Sequence, residues 1–185
     1  MSKAIYGGSM FAALVLAASL LLPEASSAQR NSRVERGRYL VEAMGCADCH
    51  TPFRLGPNGP EPDVERGLSG HPAELVMPPA PHLEPGPWLV VSSGTNTAWS
   101  GPWGVSFTSN LTPDEETGIG KWTLENFSAA MRTGRHLGAG RAILPPMPWQ
   151  AVSKLTDDDL AAIFEYLKSR PPVPNRVPEP IAPQD

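Results

Sequence analysis

Cys46-Ala47-Asp48-Cys49-His50 is the stretch from which the rest of this chain can be read. Its cysteines stand three positions apart on one helical turn, and a histidine follows at once. In that arrangement each sulfur can form a thioether to a haem vinyl group, while the adjacent imidazole presents a ring nitrogen to the iron. The chain has two cysteines and four histidines, so the motif uses both of its thiols. Other uses of the pair fit less well. A disulfide across so short a loop constrains the unfolded chain little. A thiol–disulfide site of thioredoxin type expects a surrounding βαβ pattern, and none is visible. A zinc site needs further ligands, usually a second C-x-x-C or H-x-x-x-H. The motif therefore predicts one covalently bound haem c.

Upstream, the chain opens like a secretory signal. Lys3 supplies a short positive region, residues 10–22 carry no charge, and Ser26-Ser27-Ala28 offers small residues for cleavage. Residues 1–28 are thus expected to be a signal peptide. The uncharged run is shorter than the roughly 20 apolar residues of a spanning helix. Retention as an anchor is the alternative to cleavage. No second such run follows, so no stable membrane span is expected after cleavage. Export predicts a periplasmic location, the compartment in which bacteria attach haem to cysteine. Lys3 and Glu24 are the only charges lost with the signal, so the formal net charge of −4 is unchanged. That balance argues against nucleic acid as a partner, which calls for a basic patch.

Three helices are predicted in the remainder. The first covers 33–44, with Ser32 as N-cap and Glu35 completing a capping box. Val34, Gly37, Leu40, Val41 and Met44 share one face, and Gly37 suits a close helix crossing. The second covers 124–133, between Thr123 as cap and Gly134 as stop. The third covers 157–169, capped by Thr156 and started by three aspartates that suit the positive end of the helix dipole. Leu160, Ile163, Phe164 and Leu167 form its buried stripe, and Pro171-Pro172 prevents continuation.

Residues 52–87 hold ten prolines and five glycines without regular periodicity, and are expected to wrap the haem as a loop. Residues 171–185 carry six prolines and no apolar pattern. They are expected to be an extended tail, mobile or laid along the surface. The domain itself is expected to span 29–170. The fold class predicted from these elements is all-α: helices packed around one haem, with long Pro/Gly-rich loops.

The opposite face of the iron needs a ligand far along the chain. Met147, in Pro145-Pro146-Met147-Pro148, is held between prolines that stiffen the backbone and remove N–H donors. Met147 is therefore the candidate sixth ligand and Met77 its rival, while Met44 and Met131 read as packing residues. His71, His82 and His136 are further residues able to bind iron. Asn110, Trp122 and Arg135 are candidates for hydrogen bonds to the haem propionates. For Asn110, turn formation is an equally good reading.

With these residues in place, the chain resembles a class I cytochrome c. It is similar in particular to the exported monohaem cytochrome c domains of bacterial dehydrogenase-associated cytochrome subunits, of the alcohol and gluconate dehydrogenase type. The resemblance rests on Arg36-Gly37-Arg38-Tyr39-Leu40-Val41, on Cys46-Ala47-Asp48-Cys49-His50-Thr51-Pro52, and on Asn110-Leu111-Thr112-Pro113-Asp114. It continues in Thr117-Gly118-Ile119-Gly120-Lys121-Trp122, Pro145-Pro146-Met147-Pro148 and Asp159-Leu160-Ala161-Ala162-Ile163. Two features depart from it: the stretch from His50 to Met147 is long, and the chain has a single haem motif. The resemblance implies crossed N- and C-terminal helices. It also implies a proline carbonyl that takes the proximal histidine's other N–H, with Pro57 and Pro60 as candidates. It implies a one-electron carrier with His50 and Met147 as axial ligands, and not an enzyme. Its partners would be a dehydrogenase donor and a respiratory-chain acceptor. The alternatives are a haem c enzyme or gas sensor with an open distal site, and an exported thiol–disulfide protein without haem.

Overall fold

A computed structural model describes residues 11–183 other than His82 and Pro85, and the side chains from Ser27 onward. Lys3 and Met10 of the expected signal, and His82 among the iron-binding candidates, lie outside the described residues. Among the described residues there are five α-helices, five short strands and two 3₁₀ turns. No helix among them is long and apolar enough to cross a membrane.

The core is built on two crossing helices. α1 (Phe11–Ala43) buries Leu40 and Val41 against Leu160, Ile163 and Leu167 of α5 (Asp157–Lys168). Gly37 sits at the crossing, where a Cβ would lie 1.9 Å from the Ala162 carbonyl oxygen. Any side chain there would force the helices apart. Ion pairs Arg33–Glu165 at 2.9 Å and Arg36–Asp159 at 3.0 Å flank the contact. α5 begins where expected, because the Thr156 hydroxyl accepts the Asp159 N–H. α3 (Leu124–Thr133) also keeps its expected bounds, closed by a reciprocal Thr123–Asn126 capping box and by left-handed Gly134. Its Phe127 ring meets Phe164 of α5 at 5.4 Å.

The start of the first helix is different from the expectation. Ser32 is interior to α1, and its hydroxyl donates to the Gln29 carbonyl instead of capping. Residues 24–31 contain neither Gly nor Pro, so nothing immediately upstream ends the helix. α1 stops at its other end as expected, at left-handed Gly45, and the one-turn α2 (Cys46–His50) begins there.

The fold is not all-α. β1 (Phe53–Gly56) pairs antiparallel with β2 (Gly59–Pro62), in register Phe53↔Pro62 to Gly56↔Gly59. β3 (Val91–Ser92), β4 (Ala98–Gly101) and β5 (Gly104–Phe107) form a second antiparallel sheet. The tight turns at Pro57-Asn58 and Pro102-Trp103 close both hairpins, which is what the prolines and glycines of this region do. Within 52–87 the expected irregular loop is interrupted by the β1–β2 hairpin and a 3₁₀ turn at Val64–Arg66, while the second sheet lies beyond it. The 171–183 segment is extended and bonded to the body. Val105 and Ile181 exchange backbone hydrogen bonds of 2.8 and 2.9 Å. α4 (Trp149–Val152) links the 144–148 loop to α5.

Candidate functional site

α2 carries the motif, and it is fixed at both ends. Gly45, at φ 67°, turns the chain out of α1, and the Thr51 N–H returns to the Ala47 carbonyl. His50 is 8% exposed. Its Nδ1–H donates to the Ser109 carbonyl oxygen at 2.8 Å. Burial pushes its pKa down, opposed in part by that carbonyl. The ring is therefore neutral, with the proton on Nδ1 and a lone pair on Nε2. Among the described residues Nε2 has no hydrogen-bond partner. A buried, neutral imidazole with one nitrogen committed and the other free is what an iron ligand requires. This donor set fits a haem.

The cysteines beside it are free and part-buried. Burial pushes the Cys46 thiol up to about 11, with Asp48 and Cys49 adding to it. Cys49 is raised by burial and then by Asp48. Disulfide-exchange cysteines need the opposite, a depressed pKa that supplies thiolate near neutral pH. The surroundings of this pair disfavour that chemistry. A zinc site has no support either: among the described residues no group of three His, Cys, Asp or Glu could hold a metal ion.

The carbonyl behind His50 comes from a residue that the sequence reading missed. Pro57 and Pro60 are exposed on the β1–β2 hairpin, and Ser109 takes the role implied for one of them. Gly70 makes the approach possible. Its φ is 78°, and a Cβ there would lie 2.3 Å from the Thr108 oxygen and 2.7 Å from the Ser109 oxygen. The Gly70 N–H donates to the His50 carbonyl at 2.8 Å, and the Leu68 N–H to the Thr51 hydroxyl at 3.0 Å. The sequence shows only a glycine before His71; its positive φ is a property of the fold.

Met147 is half-buried against the same apolar cluster as Cys46, Ala47, Leu111 and Trp122. Its loop is held from the sheet, since the Ser106 hydroxyl donates to the Pro145 carbonyl at 2.6 Å. Met77 lies elsewhere, in a groove of about 510 Å³ with Phe53, Leu55, Pro60 and Leu75. Met44 and Met131 pack on the cluster from α1 and α3.

The propionate candidates separate. Asn110 is buried, and its amide donates to the Val173 carbonyl at 2.9 Å and the Asn175 carbonyl at 3.3 Å. Its oxygen accepts the Thr112 N–H and hydroxyl. With both donors committed, Asn110 is a structural residue and has no N–H left for a propionate. Trp122 lies on the core cluster with its ring edge-on to His136 at 5.0 Å. Arg135 is exposed and uses one guanidinium nitrogen on the Gly140 carbonyl. His71 is fully buried with both ring nitrogens engaged, by Thr97 Oγ1 and the Leu75 carbonyl, each at 2.9 Å. It has no lone pair to offer a metal.

Comparison with known proteins agrees with this geometry. The chain is 32% identical over 145 residues to the fructose dehydrogenase cytochrome subunit of Gluconobacter japonicus, covering 78% of this chain and 22% of that one. It is 31% identical over 146 residues to the gluconate 2-dehydrogenase cytochrome c subunit of Pantoea cypripedii, covering 77% and 27%. The cytochrome c subunit of the quinone-dependent alcohol dehydrogenase of Gluconobacter oxydans is 30% identical over 133 residues, covering 72% and 20%. The chain thus spans about a quarter of the length of these relatives. The family model of cytochrome c matches residues 34–171, from the crossing face of α1 through the motif and the Met147 loop to the end of α5. By that match, and by the buried histidine beside paired cysteines, this chain belongs to the cytochrome c family.

Proposed function

We propose that this protein is an exported, single-haem electron carrier, and not itself a substrate-transforming enzyme. The observation that carries the reading is His50: buried, neutral, oriented through Nδ1 and free at Nε2. Cys46 and Cys49 would anchor the haem covalently, and His50 and Met147 would hold the iron. Trp122 and Arg135 would donate hydrogen bonds to the propionates. When bound, the haem supplies a one-electron ferric–ferrous couple. The protein's own contribution is to orient the imidazole, to present a thioether from a loop tied to β5, and to exclude water with the apolar cluster. None of these groups has to move when the charge changes.

Residues 1–28 would act as a signal peptide, 29–170 as the cytochrome c domain, and 171–185 as its C-terminal tail. The names of the relatives support a dehydrogenase as electron donor. A respiratory-chain component would be the acceptor and the periplasm the compartment. The test is the optical spectrum of protein exported from a host able to attach haem c, ferric and then reduced. Covalent low-spin haem with the weak far-red sulfur-to-iron band is expected, and Met147→Ala should abolish that band and lower the potential. A high-spin wild type that binds carbon monoxide would instead indicate an open distal site, as in a haem enzyme or gas sensor. Protein matured there without haem would return Cys46 and Cys49 to thiol chemistry.

A further inference from the structure

Asn175 stands in the proline-rich segment after α5, yet it is only 4% exposed. Each of its polar groups is used. Its Nδ2 donates to the Ser69 carbonyl at 2.7 Å and the His71 carbonyl at 2.8 Å. Its Oδ1 accepts the Ala73 N–H at 2.9 Å. Its backbone N–H donates to the Thr117 hydroxyl at 2.9 Å, and its carbonyl accepts from Asn110. Two residues earlier, the Val173 N–H donates to the Thr112 hydroxyl at 3.0 Å. The tail therefore clamps residues 69–73 to residues 110–117.

Those two segments are the ones that hold the proximal histidine. The first supplies the Gly70 N–H to the His50 carbonyl, and the second follows directly on Ser109, whose oxygen takes the His50 Nδ1–H. Each also bonds to a residue flanking the other, His71 N–H to the Thr108 carbonyl at 2.9 Å and Leu111 N–H to the Leu68 carbonyl at 2.8 Å. Asn175 thus reaches His50 through two intermediate residues on either side: Ser69 or His71 and then Gly70, and Asn110 and then Ser109. We infer that Asn175 is a positioning residue: it sets the angle and strength of the Ser109–His50 hydrogen bond, and through it the imidazole plane and the redox potential of the bound haem. The inference rests on the haem reading above.

A firm hydrogen bond from Nδ1–H raises the basicity of Nε2, which favours ferric iron. Loosening the clamp should weaken that bond, rotate the ring and favour ferrous iron. The experiment uses full-length holoprotein and compares wild type with Asn175→Ala, with the milder Thr112→Val, and with Thr156→Ala. Thr112→Val removes only the hydroxyl that Val173 and Asn110 use. Thr156→Ala removes the α5 cap and so lowers stability away from the clamp. Two quantities are read: the reduction potential, and the paramagnetic NMR shifts of the haem methyls, whose order reports the imidazole plane.

Asn175→Ala should raise the ferrous-to-ferric equilibrium constant about threefold, or roughly 28 mV for one electron, and reorder the methyl shifts. Thr112→Val should move both in the same direction by less, and Thr156→Ala should move neither. If Asn175→Ala does not fold, Thr112→Val decides the matter. Clamp variants that lose thermal stability but keep the wild-type potential and methyl order would overturn the inference, leaving Asn175 a tail anchor only. That result on a haem-bearing wild type leaves the cytochrome reading intact. A wild type without attached haem overturns the cytochrome reading, and this inference with it.

Discussion

The two halves of this molecule are held together by different chemistry. On the helical side, the core of α1, α3 and α5 is Leu40, Val41, Phe127, Leu160, Ile163 and Leu167. On the side behind His50, the hydrogen-bonded buried side chains are His71, Thr97, Thr112, Asn110 and Asn175. The first half is non-directional packing, which tolerates small shifts. The second is a hydrogen-bonded network, in which each buried group demands a partner at a fixed place. His50 sits where they meet. Its apolar neighbours can exclude water, and its polar neighbours can set its orientation.

That contrast can be broken by substitution. The largest loss should come from the apolar half. Leu160→Ala, at a fully buried position, should cost about 2–5 kcal/mol in urea unfolding. Next is Asn110→Ala, which strips partners from the Val173 and Asn175 carbonyls and the Thr112 N–H, and should cost about 3 kcal/mol. Asn110→Leu sharpens the comparison. It restores volume without the bonds, so a rescue by Leu would mean that the polar half is held by packing after all.

A third prediction concerns pH. Burial lowers the pKa of His71 from its ordinary 6.5, against the Leu75 carbonyl and the Glu74 charge, which raise it; Arg66 lowers it further. The unfolded chain therefore binds more protons below that pH. Stability contributed by His71 is complete above about pH 6.5 and is lost as pH falls toward the depressed folded value. The unfolding free energy of the holoprotein in urea should decline as pH falls below about 6.5, by up to about 1.4 kcal/mol per pH unit from this ring. His71→Gln should flatten that slope, and an unchanged slope would assign it to other groups. The smallest effect is expected at the surface. Arg33→Ala breaks a pair whose side chains are 40% and 33% exposed, and should leave the urea midpoint almost unchanged.

What could be read early follows the same division. α3 and α5 were legible because their signals are local: Thr123 and Thr156 cap within three residues, and the buried stripes repeat at helical spacing. The start of α1 was not, because a serine followed by a glutamate looks like a cap whether or not the chain before it is helical. The strands were not legible either. They are two to four residues long, too short to show alternation, and their registers come from turns and cross-strand bonds. Asn110 illustrates the limit at the site. Its residue type allows a propionate contact, but its partners at Val173 and Asn175 decide otherwise.

Five consecutive residues define the haem motif, and helix capping acts over one turn. The order of amino acids alone therefore specified the cofactor chemistry and the helical frame. The folded chain was needed to show which carbonyl holds His50, which candidates keep free donors, and that the C-terminal segment is bonded to the segments behind that ring. Those outcomes depend on hydrogen bonds between residues 59 to 106 positions apart. Such bonds leave no local pattern, because their geometry exists only once the chain has closed around its core.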